Sequence, residues 1–477
     1  MTEPLEPVQD ELANFARELR RQFPGFFDTD RPTWIGRAPG RLDVMGGVAD
    51  YSGSLVLELP LRRCTFAAVQ LRSDRRVQVW SVNAEAEGDE PRVALDLKDL
   101  GLPGAPVEYS TFQQRVGMDQ RTRWVRYVVG GLLVLAREGL LPGDAAGVSI
   151  AVASNVPPGA GVSSSAALEV AVLSALAAAY GIALEPLQLA LLAQKVENLA
   201  VGAPCGVMDQ VTASLGKQDA LLALLCQPAE VQDYVQLPES VFVCGISTAV
   251  KHSVAGPRYR NSRVATFMGR KIIWEAVRAE FPDLEPFGGY LVNVGVREFR
   301  RRFWGLLPSR LSGRVFLERY GETGDSVTRV EPEIVYAVRS RTEHAIYEHH
   351  RVKRFRAWLE RARLGQQFQN ALVQAGRLMY ASHWSYTRRC GLGAREADLL
   401  VREARARGPA KGIYGAKITG GGGGGTVAIL ARKGAEAEIE ALASVYARTT
   451  GLQPEIFWGS SDGAAWTPPR RLEAGTF

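Results

Sequence analysis

The sequence predicts an α+β fold that is divided into more than one domain. At 477 residues the chain is longer than a typical single domain, so two or three domains are expected. Both halves mix short, strand-like apolar stretches with longer segments in which apolar residues recur at helical spacing. Residues 148–181 read as a strand, a glycine-rich turn and a helix, which is the context that a phosphate-binding loop requires.

Composition narrows the class of protein. Hydrophobic residues make up 46% of the chain and charged residues 23%, as in a soluble globular enzyme. The formal charge of +6 is modestly basic, and arginines are densest in residues 258–363. No nucleic-acid-binding motif accompanies them, so a solvated face is favoured over a nucleic-acid site. A diffuse positive field also suits a nucleotide-phosphate substrate.

Cysteine and histidine usage indicates a reducing compartment. The five cysteines are scattered without a CxxC pair, and the five histidines form no metal-binding motif. No apolar run is long enough to span a bilayer, and the N-terminus is acidic and amphipathic, unlike a signal peptide. We therefore expect a cytoplasmic protein that has no membrane or nucleic-acid partner and no protein-built zinc site.

Periodicity and turn residues define the elements of the first half. A surface helix is expected at residues 4–23, with its apolar residues on one face. A polar hairpin region is expected around residues 85–91. Strands are expected at residues 34–40, 54–59, 65–71, 77–80 and 148–153. Helices are expected at residues 124–138, from the serines near residue 164 to Gly181, and from Pro186 to Gly202.

The second half is expected to begin near residues 240–247, where a strand-like apolar stretch starts a new unit. Strands are expected at residues 426–430 and 455–458. Helices are expected at residues 260–280, 354–364, 369–380 and 396–407. The predicted domains are therefore residues 1–240 and residues 241–477.

Residues 156–167 have the features of a phosphate cradle. Two prolines fix the approach, Gly159 and Gly161 let the backbone pass close to a ligand, and three serines fall at the N-cap and first helical turn. Free N–H groups and the macrodipole make such a helix start attractive to anions. The serine-rich start alone, however, favours an ordinary loop that caps a core helix.

Three stretches resemble the signature motifs of the GHMP kinases and occur in the same order. Residues 156–167 are similar to the second motif, residues 36–53 resemble the galactokinase signature, and residues 417–427 resemble the third, glycine-rich motif. The resemblance implies an N-terminal ribosomal-S5-domain-2-like domain and a C-terminal ferredoxin-like domain with an insertion at about residues 282–352. It also implies phosphoryl transfer from ATP, although the chain has no P-loop motif.

The resemblance implies which residues bind MgATP. A hydroxyl from Ser165 and a carboxylate from Glu197 match the family's magnesium ligands, and both are hard oxygen donors. Without the resemblance, Glu197 would read as a surface carboxylate. The implied nucleotide contacts are Trp124, Pro158, Gly159, Gly161, Val162, Ser163, Ser164, Ser165 and Ala166, and Thr419, Gly420, Gly421 and Gly422 form the third glycine motif.

The same resemblance implies a sugar site. Asp209 matches the catalytic aspartate of galactokinases, and Arg41 matches an arginine that stabilises developing negative charge. Whether Asp209 is a base or an electrostatic positioner stays open, because a nearby arginine weakens a carboxylate as a base. Tyr259 ends a segment, residues 252–259, that is similar to a sugar-contacting segment of galactokinases; alone, it would equally be a half-buried aromatic. The implied substrate-binding residues are Asp43, Gly47, Val48, Asp50, Gly206 and Tyr259.

The first motif also bears on which sugar is bound. Where galactokinases have G-E-H-T-D, this chain has residues 46–50 with Gly47 and Val48 in place of the Glu and His that lie toward the galactose hydroxymethyl group. Loss of two polar partners favours L-arabinose, which lacks that group. Residues 34–466 resemble the L-arabinokinases; the plant members carry a further N-terminal glycosyltransferase-like region, so only their kinase part is implied.

The resemblance thus implies that ATP and a monosaccharide are the partners. L-Arabinose is the expected sugar, with β-L-arabinose 1-phosphate and ADP as products and Mg²⁺ as the cofactor. The alternatives are a galactokinase or broader sugar 1-kinase that accepts D-galactose, and a sugar-and-ATP sensor without turnover. Intact Arg41, Asp209, Ser165 and Glu197 argue against the sensor. Oligomeric state is left open between monomer and dimer.

Overall fold

The structure is a computed structural model that describes residues 8–250 and 256–475. The predicted residues 4–7 of the first helix, and residues 252–255 of the segment that ends at Tyr259, lie outside these ranges. The strands are β1 (Thr33–Met45), β2 (Leu55–Leu71), β3 (Arg76–Ser81), β4 (Arg92–Asp96), β5 (Val148–Ser154), β6 (Ala220–Leu225), β7 (Glu230–Gln236), β8 (Val241–Ser247), β9 (Leu311–Ser312), β10 (Val335–Tyr336), β11 (Ile413–Ile418), β12 (Thr426–Arg432), β13 (Ile456–Phe457) and β14 (Arg470–Leu472).

Thirteen α-helices lie among these strands in the described ranges. They are α1 (Val8–Gln22), α2 (Tyr109–Arg115), α3 (Arg126–Arg137), α4 (Ser164–Tyr180), α5 (Pro186–Lys195), α6 (Met208–Leu215), α7 (Pro257–Glu280), α8 (Val296–Glu298), α9 (Gly313–Tyr320), α10 (Val338–Arg363), α11 (Phe368–Ser385), α12 (Arg395–Arg407) and α13 (Glu436–Thr450). No helix within the two described ranges is long and apolar enough to cross a membrane.

The first sheet has the strand order β14-β1-β2-β5-β3-β4, and β6 and β7 extend it from one end of β2. Apolar residues of α1 pack with Ile35, Ala68 and Ala151 on one face. Helices α3 and α4 cover the other face, where Ala67 and Val69 of β2 are buried. Helix α4 contacts β1 and β2 extensively, so its N-terminus is held at a fixed place beside the sheet.

The second sheet is antiparallel, with the order β11-β12-β8-β13. In chain order its elements run strand, helices, two strands, helix and strand, which is the ferredoxin-like arrangement. Helices α12 and α13 pack on one face. Helices α10 and α11 pack on the other, in a core that also includes Leu42, Val44 and Leu57 of the first sheet. That shared core fixes the two sheets against each other.

The predicted insertion is largely helical. Helix α7 and the segment from residue 286 to α10 enclose a separate core that includes Trp274, Phe299, Phe303 and Phe316. Helix α10 begins at Val338, well before the predicted start at residue 354 and inside the predicted insertion. The charged residues of α10 outnumber its apolar ones, so the sequence pattern hid its first half although the helix is buried between others.

Several other elements differ from the predictions. The strands expected at residues 54–59 and 65–71 are one strand, β2, whose first part pairs with β6 and whose second part pairs with β5. Pro60, which lies between the two predicted strands, stands where β2 changes partners. The helix expected from Pro186 to Gly202 is α-helical only to Lys195, where α5 ends. The next residues, Val196–Val201, form one wider turn of π-helix. Strand β11 and helix α13 were not predicted.

Candidate active site

The predicted phosphate cradle lies between β5 and α4. Gly159 and Gly161 both have φ of +72°, a left-handed conformation that favours glycine. Ser163 occupies the N-cap position of α4 but differs from the prediction, because its φ is +57° and its side chain caps no backbone N–H. Its buried Oγ has no hydrogen-bond partner among the described residues. The turn therefore leaves both this hydroxyl and the first N–H groups of α4 for a ligand.

A small cavity of about 100 Å³ opens in front of this turn. Both sheets contribute to it, since β1 and α6 supply one wall and the third glycine motif supplies another. Its lining residues are Arg41, Val48, Asp50, Pro157, Gly159, Gly161, Ser163, Ser164, Ser165, Glu197, Cys205, Gly206, Met208, Asp209, Tyr259, Gly420 and Gly421. Most of the residues predicted for the sugar, the phosphates and the metal thus line one cavity.

Arg41 and Asp209 form an ion pair inside the cavity. Arg41 Nη2 lies 2.8 Å from Asp209 Oδ1, and Nε donates to the same oxygen at 2.9 Å. A third donor, Nη1, reaches the Gly161 carbonyl oxygen of the phosphate turn at 2.9 Å. Burial alone would lower the pKa of Arg41, but the carboxylates of Asp209, Glu58 and Asp43 outweigh it and raise that pKa. The guanidinium therefore stays charged and links the turn to Asp209.

Asp50, Gly206 and Tyr259 surround the other side of the cavity. A Cβ at position 206 would overlap the Asp50 carboxylate, so only glycine fits there. Burial, and next the charge of Asp209, raises the pKa of Asp50 to about 6. Asp50 Oδ1 accepts no hydrogen bond from the described residues. An acceptor that is buried beside a cavity without a protein partner is suited to a sugar hydroxyl.

Ser165 and Glu197 meet beside the phosphate turn. Ser165 Oγ donates to Glu197 Oε1 at 2.9 Å, and Gln210 Nε2 donates to Glu197 Oε2 at 2.6 Å. Burial, and next the charge of Asp209, raises the pKa of Glu197 to about 7. Hydroxyl and carboxylate oxygens are the donors that Mg²⁺ prefers, so the two residues fit that ion.

A second cavity, of about 350 Å³, adjoins the first and shares Pro157 and Ser164 with it. Trp124 lines it, with its indole N–H donating to the Glu90 carbonyl oxygen at 3.0 Å. Pro158 and Leu168 lie on its apolar walls. A largely apolar cavity that adjoins a turn with free N–H groups is suited to a nucleotide base and its phosphates.

Some predicted contacts have a different environment. Val162 and Ala166 are buried in the core and line neither cavity, so only their backbones face the turn. Thr419 is buried too, and its Oγ1 accepts a hydrogen bond from the backbone N–H of Asp43 at 2.7 Å. Gly422 packs against Leu392. The side chains of Val162, Ala166 and Thr419 therefore take no part in the cavity walls.

Asp43 does not line the cavity. Its side chain is fully buried and pairs with Lys417 Nζ at 2.7 Å. The backbone N–H groups of Gly47 and Gly420 donate to the same carboxylate, at 3.1 and 3.2 Å. With its oxygens engaged away from the cavity, the Asp43 carboxylate supports the backbone at Gly47 and Gly420 and is not placed for the sugar contact that was predicted.

Gly47 and Val48 behave differently from each other. Gly47 does not line the cavity, and a Cβ there would lie 2.5 Å from the Tyr386 hydroxyl and even closer to Asp43 Oδ2. Val48 lines the cavity and has φ of +58°. Positive φ is an outlier for a β-branched residue, so the local packing must hold this conformation.

Sequence reasoning missed three buried polar groups beside the cavity. Glu58 lies 3.4 Å from Arg41 Nε and accepts no hydrogen bond from the described residues. Gln210 bridges Glu197 and the buried Glu169. Lys417 holds Asp43. Glu58 could have been noticed in the sequence, because it is a charged residue within the apolar first part of Leu55–Leu71.

Comparison with known proteins defines the family. Residues 21–71 match the galactokinase galactose-binding signature, residues 126–217 the GHMP kinases N terminal domain, and residues 366–448 the GHMP kinases C terminal region. A galactokinase of Chloroflexus aurantiacus is 32% identical over 431 residues, which cover 89% of this chain and 91% of that protein. The chain belongs to the galactokinase-like branch of the GHMP kinases.

Two further relatives add detail. The L-arabinokinase of Arabidopsis thaliana is 38% identical over 497 residues and matches 93% of this chain, which spans about half (47%) of that relative's length. Galactokinase from Lactococcus lactis, solved in complex with galactose, superposes with a TM-score of 0.73 at 20% identity, covering 95% of this chain and 99% of that one. The predicted fold class is confirmed.

Proposed function

We propose that this protein is a sugar 1-kinase, which transfers the γ-phosphate of MgATP to the anomeric hydroxyl of L-arabinose and yields β-L-arabinose 1-phosphate and ADP. The observation that carries the proposal is the Arg41–Asp209 pair, which stands in one cavity with the phosphate turn and an unpartnered Asp50 oxygen. An acceptor hydroxyl bound there would lie between the carboxylates and the phosphate-binding helix start.

The residues have separate tasks in this proposal. Asp209 accepts a hydrogen bond from the anomeric hydroxyl, and Arg41 stabilises the negative charge that develops on the transferred phosphoryl group. Asp50 and Tyr259 orient the sugar ring. The free N–H groups of α4 and the Ser163 hydroxyl hold phosphate oxygens. The apolar pocket at Trp124 receives the adenine base.

Ser165 and Glu197 would hold Mg²⁺. The bound ion would neutralise phosphate charge and orient the phosphates for in-line transfer. Gln210 keeps Glu197 turned toward Ser165 by donating to its other carboxylate oxygen. Burial, and next the charge of Asp209, raises the pKa of Glu197, and burial, and next the charge of Glu197, raises the pKa of Glu169; a bound divalent cation would offset the repulsion among these carboxylates.

L-Arabinose is proposed as the sugar for two reasons. The Arabidopsis relative with that activity matches 93% of this chain. Val48 presents an apolar side chain to the cavity, and position 47 has no room for a polar one. A pentopyranose without a hydroxymethyl group needs no polar partner at this wall.

The decisive experiment measures ADP release by the purified protein with MgATP and L-arabinose, D-galactose or no sugar. We expect a strong preference for L-arabinose, and a loss of kcat by at least about 100-fold in Asp209→Asn. Sugar binding by Asp209→Asn, measured by calorimetry, should persist. Near-normal turnover by this variant would contradict the site assignment.

Galactokinase activity is the second candidate. The Chloroflexus aurantiacus galactokinase matches this chain over 91% of its own length, which favours that activity. Equal or better turnover of D-galactose in the same experiment would establish it. Such a result would keep the fold and the roles of Arg41 and Asp209 but overturn the interpretation of Val48.

A further inference from the structure

Position 47 has no room for a side chain, whereas its backbone conformation does not require glycine. Its φ is not among the left-handed values of the described chain, so an ordinary residue could adopt its conformation. A Cβ there would nevertheless collide with the Asp43 carboxylate and lie 2.5 Å from the Tyr386 hydroxyl. The space over Gly47 is thus already filled, and Tyr386 fills it from the distant C-terminal half of the chain.

Tyr386 is held firmly in that position. It is fully buried, and its hydroxyl lies 3.1 Å from the Gly420 carbonyl oxygen and 3.2 Å from Asp43 Oδ2. Its ring meets the His344 ring edge-on, with centroids 5.3 Å apart, and His344 Nδ1 is 2.9 Å from Ser385 Oγ. A tyrosine that is packed on its ring and bound at its hydroxyl can act as a fixed wall.

Tyr386 also affects the position of Val48. Tyr386 and Val48 belong to the same apolar cluster, and Val48 is only 2% exposed. The Gly47 N–H donates to Asp43, the carboxylate that Tyr386 also contacts. The turn is therefore fixed immediately before Val48, in the strained backbone conformation that directs the valine into the cavity.

We propose that Tyr386 is a positioning residue for sugar specificity. By occupying the space over Gly47 it holds Val48 against the sugar, so that a pentopyranose is accepted and a hexopyranose with a hydroxymethyl group is disfavoured. This inference rests on the proposed function, because it explains the preference of that same site. Tyr386 does not itself line the cavity, and it acts through the turn.

The test compares Tyr386→Phe with the unmodified protein. The variant keeps the ring and removes only the hydroxyl, so the turn at Gly47 gains freedom and Val48 can withdraw. We expect the ratio of kcat/KM for L-arabinose to kcat/KM for D-galactose to fall by about 5- to 10-fold. The KM for ATP should stay within about twofold of the original value, because neither Tyr386 nor Gly47 lines the cavity at Trp124 that is proposed for the base.

Tyr380→Phe is the matched control. It removes a hydroxyl from the preceding turns of the same helical segment, where that hydroxyl has no hydrogen-bond partner among the described residues. Its sugar ratio should not change. An equal loss with both sugars in Tyr386→Phe, an unchanged ratio, or the same shift in Tyr380→Phe would overturn the inference.

A second variant keeps the inference testable if Tyr386→Phe fails to fold. Gly47→Ala places a methyl group in the same space from the other side, and the ratio should fall there as well. The ratio of dissociation constants for the two sugars, measured by calorimetry, gives the same comparison without turnover. An arabinose preference that survives both variants would overturn only this inference, whereas an unmodified protein that prefers D-galactose would overturn the proposed function too.

Discussion

Asp50 illustrates the chemistry of the cavity at the scale of one residue. Its carboxylate is buried next to Asp209, and both influences raise its pKa from 3.8 to about 6. Arg263 and Arg41 oppose that shift but do not cancel it. The protein thus keeps a destabilised carboxylate beside the cavity, as binding sites commonly do.

The first prediction follows from the sign of that shift. A folded-state pKa above the unfolded one means that the folded state holds the proton more tightly. The contribution of Asp50 to stability is therefore fully present below pH 3.8 and is lost as pH rises through about 6. Asp50→Asn should therefore raise the free energy of unfolding at pH 8, by up to roughly 3 kcal/mol, and change it little near pH 4. Thermal unfolding at the two pH values measures this difference.

The same substitution should weaken sugar binding. An amide replaces the unpartnered carboxylate oxygen, so the KM for sugar should rise at least about 10-fold, the effect of losing one charged hydrogen bond. A variant that is destabilised equally at both pH values, or that binds sugar normally, would show that Asp50 is a structural residue. The KM for ATP serves as the internal control.

At the scale of elements, the turn before α6 depends on a glycine, because one of its positions has no room for a side chain. Gly206 lies between the π-helical turn and α6, and a Cβ there would overlap the Asp50 carboxylate. Asp50 itself belongs to the loop after β1. The two segments can approach this closely only because position 206 has no side chain.

Gly206→Ala tests this approach. The methyl group would overlap the Asp50 carboxylate and should push Asp50 and the turn apart. Because such a displacement would misplace the bound sugar, kcat/KM for the sugar should fall by about 10-fold or more. Gly143→Ala is the matched control, since nothing lies within 4 Å of a Cβ there and neither glycine has positive φ. Equal activity of the two variants would contradict the predicted role of Gly206.

The sequence predicted the elements better than their extents. The strand, turn and helix of the phosphate cradle, and the stop at Gly181, agree with β5 and α4. The extent of β2 was missed because Pro60 and the arginines after it resemble a break, whereas pairing with three other strands keeps β2 continuous. Tertiary pairing of this kind overrides local signals.

The sequence indicated which residues lie near the cavity better than it indicated which partners their side chains contact. The motifs brought Arg41 and Asp209 to one place through a spacing of 168 residues, which only the family pattern could indicate. The support role of Asp43 depends on Lys417, 374 residues away, and on Tyr386. Nothing in a local pattern encodes such partners, so the prediction of Asp43 as a sugar contact could not be refined from sequence.

At the scale of the whole molecule, the Asp43–Lys417 pair ties the two sheets together. Asp43 lies in β1 and Lys417 in β11, and neither side chain is exposed. Loss of one partner leaves an uncompensated charge in the interior, which typically costs about 3–5 kcal/mol. The pair therefore secures the relative position of the two sheets that enclose the cavity.

Asp43→Asn should consequently lower the midpoint of thermal unfolding, by about 5–15 °C. Glu333→Gln is the control, because it removes a carboxylate from an exposed ion pair with Arg314 and should shift the midpoint by less than about 2 °C. Saturating ATP and sugar should recover part of the loss in Asp43→Asn by mass action. Equal midpoints for the two variants would contradict the role of the pair.

Strand β14 completes the first sheet by pairing with β1 through Thr33, Trp34 and Ile35. The two partners lie at opposite ends of the described chain. During synthesis on the ribosome, the backbone N–H and C=O groups along this edge of β1 stay unpaired with β14 until residues 470–472 have been translated. An open edge is a template for strands of other chains. Nascent copies of this protein therefore carry an aggregation hazard that lasts until β14 has paired with β1.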